Sequence, residues 1–173
     1  YIAMFSPLAF ILVINFGINR MQASTVQMIF WAFAAVMGIA LSNILLMYTG
    51  TSVAKTFFVT AAAFGALSLY GYTTKKNLTG MGSFLIMGLF GLIIASIVNM
   101  FMQSSMMEFV ISAIGVLIFA GLTAYDTQRI KLMYLESDHS EIASKKAIMG
   151  ALSLYLDFIN MFLFLLRFMG NRN

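Results

Sequence analysis

Asp126 and Asp157 are the only acidic side chains set inside apolar stretches of this 173-residue chain. A carboxylate in the hydrocarbon of a bilayer is costly, so an acid there is a functional residue by default. Asp126 stands at the polar end of the stretch from about Glu108 to Lys131, and Asp157 lies 10 residues into the stretch from about Ala147 to Met169. At about 1.5 Å per residue, Asp157 is about 15 Å along its helix, too deep to reach water without a cavity or a partner. Its neighbours three and four places away, Ser153, Leu154, Asn160 and Met161, include no cation. Two carboxylates placed together in such surroundings are expected to share a proton close to neutral pH. As hard oxygen donors they also attract Ca²⁺ in preference to softer metals. The chemistry expected of Asp126 and Asp157 is therefore proton sensing, gating and transient Ca²⁺ binding.

Arg20 ends the first apolar stretch on the same side of the membrane as Asp126, and its long stem can reach inward. A guanidinium held by an ionised Asp and released when that Asp takes a proton would make a latch. The competing reading pairs Asp126 with Arg129 one turn on and makes Arg20 an anchor in the headgroup region.

Other chemistry is poorly served. The chain has no Cys and one His, His139, which removes disulfides, a Cys nucleophile and any His-pair zinc motif. A membrane Asp pair is similar to the acids of intramembrane aspartyl proteases, which share a proton and activate water. The Gly-Asp style motifs of those enzymes are missing around both residues, so no enzyme and no resident cofactor is expected. Nothing in the chain suggests nucleic-acid binding.

The elements that must position the acids follow from composition. Hydrophobic residues make up 61% of the chain and charged residues 9%, far from the balance of a soluble domain. A bilayer core takes about 20 apolar residues per helix. Six such stretches are expected: Tyr1 to Asn19, Val26 to Tyr48, Val53 to Thr73, Gly80 to Met102, Glu108 to Lys131 and Ala147 to Met169. The fold class is an all-α integral membrane protein with a single domain over residues 1–173. Glu136 to Lys146 reads as a solvated charged loop. Because the chain opens on Tyr1 directly in an apolar run, a further segment is expected before it.

Alternating the ends puts Arg20, Lys75, Lys76, Arg129, Lys131, Lys145 and Lys146 on one face and Lys55, Arg167 and Arg172 on the other. This bias makes the first face cytoplasmic and the C-terminus external. Small residues at Ala34, Gly38 and Ser42, and at Gly88, Gly91 and Ala95, are spaced for close helix packing. The hexapeptide GALSLY occurs twice, at Gly65–Tyr70 and Gly150–Tyr155, in stretches that cross in opposite directions as an inverted repeat would.

The segments GLTAYDTQRIK, Gly121 to Lys131, and ALSLYLDFINMFLFLLRFMG, Ala151 to Gly170, resemble the signature stretches of the Bax inhibitor family, also called the transmembrane Bax inhibitor motif family. The run FGINRM, Phe16 to Met21, and the segment GALSLYGYTTKK resemble its bacterial inner-membrane branch. The resemblance implies seven helices in the intact protein, with the last helix central and wrapped by the rest. It implies an aspartate pair, here Asp126 and Asp157, acting as pH sensor of a Ca²⁺ leak, with Arg20 as latch. An outer ion pair to Arg167 finds no acid in the helix that ends at Arg20, where Ala9 stands at about that level. Glu108 is the substitute on that face.

Three functions follow as expectations. The first is a passive, pH-sensitive Ca²⁺ leak channel in the bacterial inner membrane. The second is a non-conducting regulator that binds a membrane protease or a stress-response partner through its helices and loops. The third is a proton-coupled transporter.

Overall fold

The structure, a computed structural model, describes residues 16–17, 20–133 and 139–171. Five long helices carry the fold: α1, Ala23–Leu46; α2, Gly50–Thr73; α3, Thr79–Met102; α4, Ser105–Met133; and α5, Ser140–Met169. All five are long and apolar enough to cross a membrane. Among the described residues this corrects the expected six spans to five. The stretch assigned to the first, residues 1–19, lies outside the described residues except for Phe16 and Gly17, so apolar length alone had supplied that count.

The 24 residues of α1, α2 and α3 span about 36 Å each, enough for a hydrocarbon core of about 30 Å. The longer α4 and α5 extend beyond it, and this corrects the charged loop as well. Ser140 to Lys146 form the first two turns of α5 rather than a connection. Glu141 lies in that first turn, where an acid suits the helix dipole, and its carboxylate accepts a hydrogen bond from Ala23 N at the start of α1. Residues 134–138, including Glu136 and Asp138, lie outside the described residues.

The centre of the bundle is a pair of helices, not the last helix alone. α4 packs against α2, α3 and α5, while α5 packs against α1, α2 and α4. Their antiparallel register is legible in side-chain contacts: Lys146 Nζ donates to Met133 O, Gly150 sits on Ile130, Arg129 reaches Ser153, and Phe119 stacks on Phe164. Leu92, Ile111, Ile118, Phe119, Leu122 and Met161 form the core of this pair and α3. A second cluster of Val26, Phe33 and Leu152 seats α1 on α5, with Tyr155 edge-on to Phe30 and Phe33. α3 presents Phe84, Met87, Phe90 and Ile94 outward, as a helix bathed in lipid requires.

Two sets of polar ties define the ends. At one end Thr49 caps α2 by accepting from Ser52 N at 3.1 Å, and Asn171 beyond α5 donates to Ser52 Oγ at 2.8 Å. At the other, buried Gln128 accepts from Leu78 N at 2.9 Å and donates to Lys76 O at 2.6 Å, clamping α4 to the α2–α3 turn. Gln128→Leu strands a buried N–H, which costs about 1–3 kcal/mol. We expect a clear drop in melting temperature in detergent, and an unchanged melting curve would show that water replaces the amide.

Candidate functional site

Asp126 lies on the last third of α4 and Asp157 near the middle of α5, on the faces that meet along the central interface. Both are buried, Asp126 at 9% and Asp157 at 5% exposure. The register of the two helices brings them level, and their carboxyl groups face each other within hydrogen-bonding reach. The mismatch in depth suggested by the sequence disappears because α4 runs on to Met133, which sets Asp126 two turns inside its helix end. Two carboxyl groups that meet in this way are bridged when one of them carries a proton, its O–H donating to the neighbouring oxygen. Asp157 Oδ2 is buried with no hydrogen-bond partner among the described residues.

The cation on the pair is Arg129. Its guanidinium lies 3.3 Å from Asp126 Oδ1 and also donates to Ser153 Oγ at 3.2 Å. It thus spans from α4 to α5 one turn from Asp157, and its Cζ lies over the Tyr125 ring, 6.0 Å from the centroid. Arg20, expected as the latch, is exposed in the turn before α1, where its backbone N donates to Gly17 O. Asp126 pairs with Arg129, so the guanidinium one helical turn away stands where Arg20 was foreseen. A residue at i+3 on the same helix reaches its partner without any rearrangement of the chain.

Above the aspartates the centre is apolar. Phe119 and Phe164 stack at 5.9 Å between ring centroids, in space left by Gly115, whose missing Cβ would fall 2.7 Å from the Phe164 ring. Beyond them, at the Thr49–Asn171 end, a cavity of about 410 Å³ opens between α1, α3, α4 and α5. Glu108 and Arg167 both line it, together with Asn99 and buried Ser112. Glu108 and Arg167 thus share a cavity, and Arg167 also lies over the Phe164 ring at 5.8 Å.

No group of three or more Asp, Glu or His side chains able to hold a metal occurs among the described residues. Asp126 and Asp157 supply two carboxylate donors, fewer than the six or more oxygens that Ca²⁺ takes in a resident site. Sequence reasoning missed the Phe119–Phe164 stack and the Gln128 clamp. Phe is too common here, at 17 residues, for any pair to stand out, and Gln128 gave no signal beside its charged neighbours.

The family described as Inhibitor of apoptosis-promoting Bax1 matches residues 1–173. An uncharacterized protein of Rickettsia prowazekii is 53% identical over 171 residues, covering 99% of this chain and 72% of its own length. Inner membrane protein YbhL of Escherichia coli K12 is 47% identical over 169 residues, 96% of this chain and 72% of the relative. An uncharacterized protein of Caulobacter vibrioides is 52% identical over 167 residues, 96% and 67% of the two chains. With five membrane-length helices and a match from end to end, the chain is a multi-pass membrane protein that belongs to the Bax inhibitor family.

Proposed function

We propose that this protein is a passive, pH-sensitive Ca²⁺ leak of the bacterial inner membrane, with Asp126 and Asp157 as sensor and gate. The observation that carries the reading is the facing of two buried carboxyl groups across the central α4–α5 interface, with Arg129 tied to both helices. The Lys75–Lys76 end is cytoplasmic in this reading, and the Thr49–Asn171 end and the C-terminus lie outside. The Escherichia coli relative, inner membrane protein YbhL, supports the inner-membrane location.

The sign of the pH response follows from charge. With one shared proton the pair carries one negative charge, which Arg129 balances. A second proton removes that charge, leaves Arg129 unpaired and weakens its tie to Ser153. The α4–α5 contact then loosens, so flux rises as pH falls. The test is Ca²⁺ entry into proteoliposomes holding the full-length protein, between about pH 5 and pH 8. Flux that climbs on acidification supports the reading. Flux no greater than in empty liposomes, from folded protein, overturns it and favours a regulatory binding protein.

Arg129→Gln tests the latch separately. The Arg129 side chain is 45% exposed, and an exposed pair is worth up to about 1 kcal/mol. We expect a rise in flux at neutral pH of up to about fivefold, with little change at acid pH where the pair is already broken. Equal effects at both pH values would remove Arg129 from the gate.

A further inference from the structure

The aspartates account for one end of a passage and leave the other half of the bundle without a route. Asn160 stands one turn beyond Asp157 on α5, and its amide nitrogen donates to Leu156 O at 2.8 Å. That bond leaves the carbonyl oxygen as the group Asn160 can offer to a cation. Asn160 lines a groove of about 370 Å³ bounded by α3, α4 and α5, whose walls also include Ser96, Met100, Phe119 and Phe164. Ser96 and Met100 line the outer cavity of Glu108, Ser112 and Asn99 as well. The cavity and the groove therefore share a wall on α3. The stacked Phe119 and Phe164 rings line that groove with Asn160, each about two helical turns from the aspartate of its own helix on the side of the outer cavity. The unpartnered, buried Oδ2 of Asp157 lies beyond them.

We propose that the outer half of the ion route runs from the Glu108–Ser112 cavity past Ser96 to Asn160 and Asp157, and that Phe119 and Phe164 form its apolar constriction. This rests on the leak reading and deepens it. Oxygens succeed one another along the route: the Glu108 carboxylate, the Ser112 and Ser96 hydroxyls, the Asn160 carbonyl and the Asp157 carboxylate. A hydrated cation met by oxygen at each stage needs no single tight site, which suits passage rather than storage. The aromatic pair supplies the opposite property. An apolar neck expels water when narrow, and so closes the route without any charge of its own. Parting of α4 from α5 at the carboxyl pair would also part these rings, because one ring belongs to each helix.

Cysteine accessibility tests the route without Ca²⁺, so its failure and the failure of the leak reading remain distinct. These 173 residues contain no Cys, so one introduced thiol reports alone within them. The full-length protein in liposomes is treated with a membrane-impermeant trimethylammonium methanethiosulfonate, comparing Ser112→Cys, Asn160→Cys and the lipid-facing Phe90→Cys. Ser112→Cys should react readily and Phe90→Cys should not. Asn160→Cys should react about tenfold more slowly than Ser112→Cys, and adding Phe119→Ala should recover about tenfold, as removal of a dewetted neck implies. Should Phe119→Ala fail to fold, Phe164→Leu serves, since that ring is half-buried. An Asn160→Cys rate unmoved by opening either ring, or as low as that of Phe90→Cys in every background, would overturn the route and leave the groove a lipid-filled crease. Reactive Asn160→Cys in a protein that passes no Ca²⁺ would support the route as an aqueous passage and overturn the ion assigned to it.

Discussion

Asp126→Asn is expected to leave the protein folded and to flatten its Ca²⁺ flux to within about twofold between about pH 5 and pH 8, where a one-proton switch can change by up to about tenfold per pH unit. The amide is nearly isosteric with the carboxyl and can still hydrogen-bond Asp157 across the interface, so the α4–α5 contact survives. What it cannot do is hold Arg129 by charge or release it on taking a proton. The ion pair with Arg129 is then absent at every pH in that range, and the tie to Ser153 is weakened throughout, as in the doubly protonated native pair. The expected level is the high flux of the acidified protein. Asp126→Ala separates charge from space: it also removes the paired charge, but it empties the volume beside Asp157 and leaves that carboxyl without its partner. Asp126→Asn that retained the native pH profile would show that the sensor lies elsewhere.

The aspartates were legible because they break a simple rule of composition, an acid where lipid-soluble side chains are required. Their contact was not legible. It depends on the register of α4 against α5, and register is set by fits such as Gly115 under Phe164 and Gly150 against Ile130, which no spacing announces. The cation beside Asp126 was not legible either, for a related reason. Sequence distance made Arg20 and Arg129 equal candidates, and only the geometry of one helical turn separates them. The boundary of the last helix was also misread, because charge was taken as the end of a helix when it marks only the end of the hydrocarbon. Small-residue spacing proved the weakest guide. Gly38 and Gly91 face open space, whereas Gly71, which belongs to neither of the spaced triplets, carries the closest helix approach. The two GALSLY copies do lie on antiparallel helices, but Gly65 meets nothing and Gly150 meets Ile130, so they share a sequence without sharing a role.

Gly71→Ala is expected to be the most damaging single-methyl addition in the bundle. A Cβ at Gly71 would fall 2.2 Å from Ala124 O and 2.9 Å from Ala124 C, atoms of the α4 backbone that cannot rotate aside. The contrast is Gly121, where the obstacle is Leu85 Cδ1, the end of a flexible side chain. Overpacking costs about 1–3 kcal/mol when side chains can yield, and here the helices themselves must separate. The loss should therefore reach about 3 kcal/mol and appear as a large drop in melting temperature in detergent. Gly91→Ala, which points into open space, should stay within about 0.5 kcal/mol of native. The functional consequence follows from position. Ala124 is two residues before Asp126 and is itself buried, so moving α4 off α2 moves the carboxyl that must meet Asp157. Protein that survives Gly71→Ala should show a weakened pH response before it loses its helices. A native melting curve and a native pH profile together would mean that α2 and α4 do not hold this contact in the membrane.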